Sequence, residues 1–154
     1  KPLYKIIMKK KKKILKFKKP SVFVPMCLDL IHHGHINILS KAEKYGNVII
    51  GLMTDDAIKR YKKRETLIKY KDRKKIAESF KFVSKVISLN GPQSYAPISK
   101  KYKFDYFIHG TDWRDGPQSK GRTDLMSVMK KWNGKVIEIK YTKNISSTKL
   151  RKQI

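Results

Sequence analysis

The chain is short of cysteine, of acidic residues and of long apolar runs, and each shortage removes a class of protein. Cys27 is its one cysteine, so no internal disulfide can form, and no Cys or His stands near it at zinc-finger spacing. A reducing, cytoplasmic setting is expected. No apolar run reaches the roughly 18 residues needed to cross a bilayer, and lysines interrupt every apolar stretch near the start, so neither a membrane span nor an export signal is expected. No internal repeat or Ser/Gly-rich linker divides the sequence, and 154 residues with 40% hydrophobic content suit a single domain with one core. The 12 Asp+Glu stand against 38 Lys+Arg, a net charge of +26. Such a surface concentrates anions, which leaves nucleic acid, an acidic membrane and a nucleoside triphosphate open as partners. Helix-turn-helix, RRM and KH signatures are missing too, and the aromatics do not interleave with a basic stripe. A basic nucleic-acid-binding module is therefore the alternative class, and no specific nucleic acid is expected.

What is present has a clear order. Residues 1–20 hold ten Lys and no acidic residue and read as a solvated basic arm, leaving 21–154 as the catalytic domain. From Ser21 onward, short runs rich in Val and Ile alternate with helix-like segments, the pattern of parallel strands joined by crossover helices. Strands are expected at Ser21–Met26, Asn47–Met53, Lys85–Leu89, Tyr106–His109 and Lys135–Ile139. Helices are expected at Gly34–Tyr45, Asp55–Tyr61, Asp72–Phe80, Thr123–Trp132 and Ser146–Ile154. The fold class is α/β, a Rossmann-like parallel sheet in a single domain. In that class ligands lie at the carboxyl ends of the strands, which points to the loops Met26–Gly34, Met53–Arg73, His109–Gly121 and Lys140–Thr148.

Chemistry concentrates in three of those loops. His32-His33-Gly34-His35 follows the first strand and opens a helix. His32 and His35 are three apart and share a helical face, Gly34 lets a phosphate approach the backbone, and the helix start offers free N–H donors. Paired imidazole donors suit phosphoryl transfer, which asks mainly for positioning and charge stabilisation. A metal site would need a third ligand of similar type, and outside the cluster the only histidine is His109, so no protein metal site is expected. His109-Gly110-Thr111-Asp112-Trp113 ends the fourth strand: Asp112 can orient a base or ribose, and Trp113 offers a face for stacking or a large core side chain. Ser146, Ser147 and Thr148 put three hydroxyls at the start of the last helix, to cap it or to hold phosphate oxygens.

Taken together, Asp29-Leu-Ile-His-His-Gly-His35, His109-Gly-Thr-Asp-Trp113 and Ile145-Ser-Ser-Thr-Lys-Leu150 resemble the HxGH nucleotidyltransferase superfamily in its cytidylyltransferase branch. The closest likeness is to the phosphonate (2-aminoethylphosphonate) subgroup associated with phosphoenolpyruvate mutase. The resemblance covers Ser21–Ile154. It implies transfer of CMP from CTP to a small phosphonate or phosphate acceptor, with pyrophosphate released, Mg²⁺ held mainly by the triphosphate, and a homodimer. It assigns catalysis to His32, His35, Lys62 and Arg73, the last two as phosphate-contacting cations. It sets the nucleotide against Met26, Cys27, Gly34, His109, Gly110, Asp112, Trp113, Tyr141, Ile145, Ser146, Ser147 and Thr148. Asp29 would meet an acceptor ammonium. Glycerol-phosphate enzymes, the alternative along with related adenylyltransferases, carry Arg-Thr-Glu-Gly where this chain has Tyr141-Thr-Lys-Asn144, and Asn144 should keep the left-handed turn of that Gly.

Overall fold

The computed structural model describes residues 15–154, so most of the expected basic arm, 1–14, lies outside the described residues. Five strands, β1 (Ser21–Met26), β2 (Asn47–Met53), β3 (Val83–Leu89), β4 (Tyr106–Gly110) and β5 (Lys135–Ile139), form one sheet in the order β3-β2-β1-β4-β5. Every neighbouring pair is parallel. Between the strands run α1 (His33–Glu43), α2 (Asp55–Lys62), α3 (Tyr70–Glu78), α4 (Tyr95–Tyr102) and α5 (Ser119–Met129), and α6 (Ser147–Arg151) follows the last strand.

Alternation along the buried strands sends side chains to two separate apolar layers. Val22, Val24 and Met26 join Val48, Ile50 and Leu52 beneath Leu39 and Ala42 of α1 and Ala77 of α3. Phe23, Ile49, Met53 and Phe107 face the other way, onto Ile58 of α2, Tyr95 of α4 and Leu125 and Met129 of α5. The sheet is thus wound with helices on both faces. Because β1 connects outward through β2 to β3, and the chain then returns to β4 on β1's other side, the strand order reverses between β1 and β4. A crevice opens at the carboxyl ends of those two strands.

Beyond displaced ends of β3, α3 and α6, three sequence expectations shift. α4 was not expected: the stretch leading into it, Asn90-Gly-Pro-Gln-Ser-Tyr-Ala-Pro97, holds two prolines. Both prolines sit where no intrahelical N–H is needed, Pro92 in a 3₁₀ turn and Pro97 in the first turn of α4. α5 begins at Ser119, ahead of Thr123, and ends at Met129 with a 3₁₀ turn carrying on to Trp132. The ordered domain also starts before Ser21. Phe17 packs against Tyr102 and Phe104 with ring centroids 5.1 and 5.8 Å away, and Lys19 donates to the Lys103 carbonyl at 2.6 Å and pairs with Asp105 at 3.4 Å.

Candidate active site

The cleft at the switch point is lined by Met26, Cys27 and Asp29 after β1, His35 and Ile38 of α1, Tyr61, Lys62 and Arg64 around the end of α2, and His109, Gly110, Asp112 and Gln118 after β4, with Tyr141 and Ser147 closing the last side. All four loops expected from the sequence therefore reach it.

At the opening of α1 the two histidines lock each other in place. His32 is the N-cap: the Gly34 N–H donates to its Nδ1 at 3.1 Å, and the His32 N–H donates back to Nδ1 of His35 at 3.2 Å, a capping box built from imidazoles. Each ring accepts at Nδ1, so in the neutral ring the proton sits on Nε2 and is free to donate. The ring centroids are 4.0 Å apart. Burial, the neighbouring His32 and the cationic Lys62 depress His35 to about 4. Burial and His33 lower His32. The pair is therefore a double neutral donor at physiological pH. Gly34 serves this arrangement rather than a phosphate, because a Cβ there would lie 2.8 Å from Nδ1 and Cε1 of His32. Its N–H is already engaged by that ring.

Three residues take parts other than those expected of them. Arg73 is fully buried. Its Nε donates to the Ile68 carbonyl (2.9 Å), one terminal nitrogen donates to the carbonyls of Cys27 (2.6 Å) and Met53 (2.8 Å), and the other pairs with Asp55 (2.8 Å). It ties together the ends of β1 and β2 beneath the cleft, with its donors turned into the protein, and is not a phosphate contact. Trp113 is buried as well, stacked on His109 at 4.1 Å and 2° and donating to Glu138 at 3.2 Å. It offers no face to a base. Glu138 would be raised by burial, yet hydrogen bonds from Arg114, Arg122 and Trp113 bring it down to about 2.

Asp29, expected to meet an ammonium, is already saturated. Its Oδ1 accepts from the Leu67 and Ile68 N–H groups, each at 2.9 Å, and its Oδ2 accepts from Arg64 at 2.8 Å and Arg151 at 2.6 Å. Burial would raise this carboxyl, and those donors outweigh it and hold it below the usual range.

The remaining expected residues lie in or around the cleft. Tyr141 lies across Gly110, where a Cβ would meet its ring, and burial, then the Asp112 carboxylate, push its phenol far up. Ser146 caps α6 by accepting from Lys149 N at 3.1 Å, and Ser147 Oγ donates to the Leu30 carbonyl at 2.8 Å. Ile145 packs beside Gly34, and Thr148 is exposed. Asn144 adopts φ 65°, the left-handed turn expected of it. His109 is fixed by the Gly110 carbonyl at 2.9 Å and by Gln118 at 3.1 Å, and Gln118 also accepts from Tyr95 at 2.9 Å. Gln118, Tyr95, Tyr61 and Arg64 also line the cleft, with no role expected of them from the sequence. Among the described residues, no three His, Cys, Asp or Glu side chains assemble into a metal cage. No helix of the described residues is long and apolar enough to cross a membrane.

Comparison with known proteins agrees with this geometry. The glycerol-3-phosphate cytidylyltransferase of Staphylococcus aureus is 30% identical over 126 residues, 82% of this chain and 88% of that protein. Its Bacillus spizizenii counterpart is 33% identical over 128 residues, 82% of this chain and 90% of that protein. An ethanolamine-phosphate cytidylyltransferase of Arabidopsis thaliana is 31% identical over 143 residues, 88% of this chain but 32% of that longer protein. The narrower likeness to phosphonate enzymes is not upheld, since these relatives are named for phosphate esters. In fold, the chain is similar to a lipopolysaccharide core biosynthesis protein of Thermoplasma volcanium, with a TM-score of 0.62 at 19% identity over 81% of this chain and 98% of that one. The match that settles the family runs from Phe23 in β1 to Gln153 beyond α6: the chain belongs to the cytidylyltransferase-like family and is a nucleotidyltransferase.

Proposed function

We propose that the chain transfers CMP from CTP to the phosphate of a small phosphate monoester, with glycerol 3-phosphate the first candidate acceptor, and releases pyrophosphate. The observation that carries this reading is the neutral His32–His35 pair at the opening of α1, with His35, Lys62 and Arg64 all lining the cleft. An acceptor phosphate oxygen attacks the α-phosphorus of CTP, a new P–O bond forms, and the bond to the bridging oxygen of pyrophosphate breaks. A phosphate dianion needs no base to strip a proton from it, so the protein's task is to stabilise charge. The imidazoles donate to the α-phosphate oxygens, where charge crowds in the transition state. Lys62 and Arg64 receive the growing charge of the leaving pyrophosphate.

Mg²⁺ fits this site as a companion of the triphosphate. The one buried carboxylate at the cleft, Asp29, has both oxygens filled by protein donors, and Mg²⁺ is commonly held by substrate oxygens and waters. Carried in that way, it would neutralise part of the triphosphate's charge.

The same saturation bears on the acceptor. Asp29 has no lone pair to spare for an ammonium, and the cleft's other carboxylate, Asp112, faces the Tyr141 hydroxyl. A neutral polyol tail therefore suits the cleft better than a cationic one. The glycerol-3-phosphate relatives point the same way, the ethanolamine-phosphate relatives point to an amine, and the phosphonate acceptor has neither argument behind it. Steady-state pyrophosphate release from CTP and Mg²⁺ with each acceptor in turn tests the reading: glycerol 3-phosphate should exceed ethanolamine phosphate and 2-aminoethylphosphonate by about tenfold or more in kcat/KM, about 1.4 kcal/mol. A preference for either amine would overturn the acceptor assignment.

A further inference from the structure

Arg64 and Arg151 meet on one oxygen of Asp29 although one follows α2 and the other ends α6. Arg64 lies in the irregular segment 63–69 between α2 and α3, which opens on Lys63 in the left-handed region at φ 56°. That segment is tied down by its tertiary bonds, above all to Asp29, which accepts from the N–H groups of Leu67 and Ile68 and from the Arg64 side chain. Arg151, the last residue of α6, binds the same Asp29 Oδ2 at 2.6 Å and donates from its other terminal nitrogen to the Glu65 carbonyl at 3.2 Å. It therefore grips the segment twice, through the carboxylate and through the backbone beside Arg64. α6 is pinned in turn by the Ser147 hydroxyl on the Leu30 carbonyl at 2.8 Å.

Burial separates the two roles. The Asp29 side chain is 1% exposed, whereas the two arginine side chains are each more than a fifth exposed, and of the two arginines Arg64 is the one that lines the cleft. One carboxylate charge set against two guanidiniums leaves the cluster cationic, so it attracts an anion at its open edge while the buried edge stays fixed.

We propose that Arg151 is a positioning residue: by clamping Asp29 and the Glu65 carbonyl together, it holds the Arg64 guanidinium where the pyrophosphate portion of the substrate lies. The inference rests on the assignment of Arg64 to the leaving group made above. A lysine at 151 would supply one of the two bonds but could not span both with a planar fork.

The test is calorimetric binding of inorganic pyrophosphate to the full chain, comparing the parent with Arg64→Leu, Arg151→Leu, Arg151→Lys and the double variant Arg64→Leu/Arg151→Leu. Arg151→Leu should weaken pyrophosphate binding about tenfold when Arg64 is present and less than about twofold when Arg64 is already Leu, with Arg151→Lys in between. The same factor in both backgrounds would mean that Arg151 acts on the anion by itself or on the fold at large, and would overturn the proposal, as would no weakening at all. Melting curves accompany each protein. If Arg151→Leu does not fold, Arg151→Lys is read in the same two backgrounds. CMP transfer is measured on the same samples: coupled pyrophosphate binding without transfer sinks the functional reading and leaves the clamp, while transfer without coupling sinks the clamp alone.

Discussion

His32 and His35 hold one another in register: the backbone N–H of the first donates to Nδ1 of the second at 3.2 Å, and the two rings lie 4.0 Å apart. Each should matter to rate more than to binding. His35→Ala should lower kcat by about 10²–10³ with a much smaller effect on KM for CTP, because its donor acts on charge that develops in the transition state. His32→Ala should do the same and also lose about 1 kcal/mol of helix capping, whereas His32→Asn keeps a capping acceptor and should lose rate alone. Steady-state kinetics beside melting curves separate the two effects. Equal losses in KM and no loss in kcat would make the pair a binding element only.

Gly34 gives a sharper test of the same geometry. A methyl group at this position meets the imidazole of His32 at 2.8 Å, and a side chain of that kind can swing away at little cost to the fold. Alanine is also the better helix former by about 1 kcal/mol. Gly34→Ala should therefore melt within a few degrees of the parent while its kcat falls about as far as that of His32→Ala. Retained turnover in this variant would show that the His32 ring does not need its Gly34 bond.

The pH response follows from His35, whose folded value of about 4 lies below its ordinary 6.5. Its neutral form is favoured in the folded chain, so its contribution to stability is full above about pH 6.5 and is lost as pH falls towards 4. Protonation at Nδ1 would also displace the His32 N–H. The His35 imidazole NMR shifts and the melting temperature should be level from about pH 6.5 to 8 and change on the acid side with a midpoint well below 6, whereas kcat/KM also carries the acceptor phosphate's own second ionisation at about 6. A midpoint at 6.5 would place an ordinary, exposed histidine in control.

Arg73 and Lys62 should separate into a structural and a catalytic cation. Removing a buried guanidinium that serves three carbonyls and Asp55 costs about 3–5 kcal/mol, so Arg73→Met should be strongly destabilised in urea unfolding. Lys62 is exposed at the cleft, and Lys62→Met should change stability by less than about 0.5 kcal/mol while lowering kcat/KM about tenfold or more. A stable Arg73→Met that has merely lost affinity for CTP would restore the phosphate-contact role.

The sheet was legible in the sequence because its strands are short runs rich in Val and Ile, and Asn47–Met53 and Lys135–Ile139 come out residue for residue. α4 was hidden by prolines that the first turn of a helix tolerates. The histidine cluster was legible because its spacing is local. What could not be read was which cation among so many reaches the cleft. One signal was available: Arg60, Arg64, Arg73, Arg114, Arg122 and Arg151 are the only arginines in a chain dominated by lysine, and every one of them donates to a protein oxygen. A planar fork is kept where geometry demands it, and elsewhere lysine suffices to carry charge. Trp113 and Asp29 were misread for a related reason. A motif shows that a residue stands near the ligand, but whether its polar atoms are already satisfied depends on partners such as Glu138 and Arg151, which lie far away in sequence.

The most direct measurement is pyrophosphate release from CTP and Mg²⁺ with glycerol 3-phosphate as acceptor, for the parent chain and for His35→Asn side by side. The parent should give stoichiometric CDP-glycerol and pyrophosphate, and the variant should lose about 10²–10³ in kcat at nearly unchanged KM for CTP. No CMP transfer from CTP to any phosphate monoester, or full turnover by His35→Asn, would contradict it.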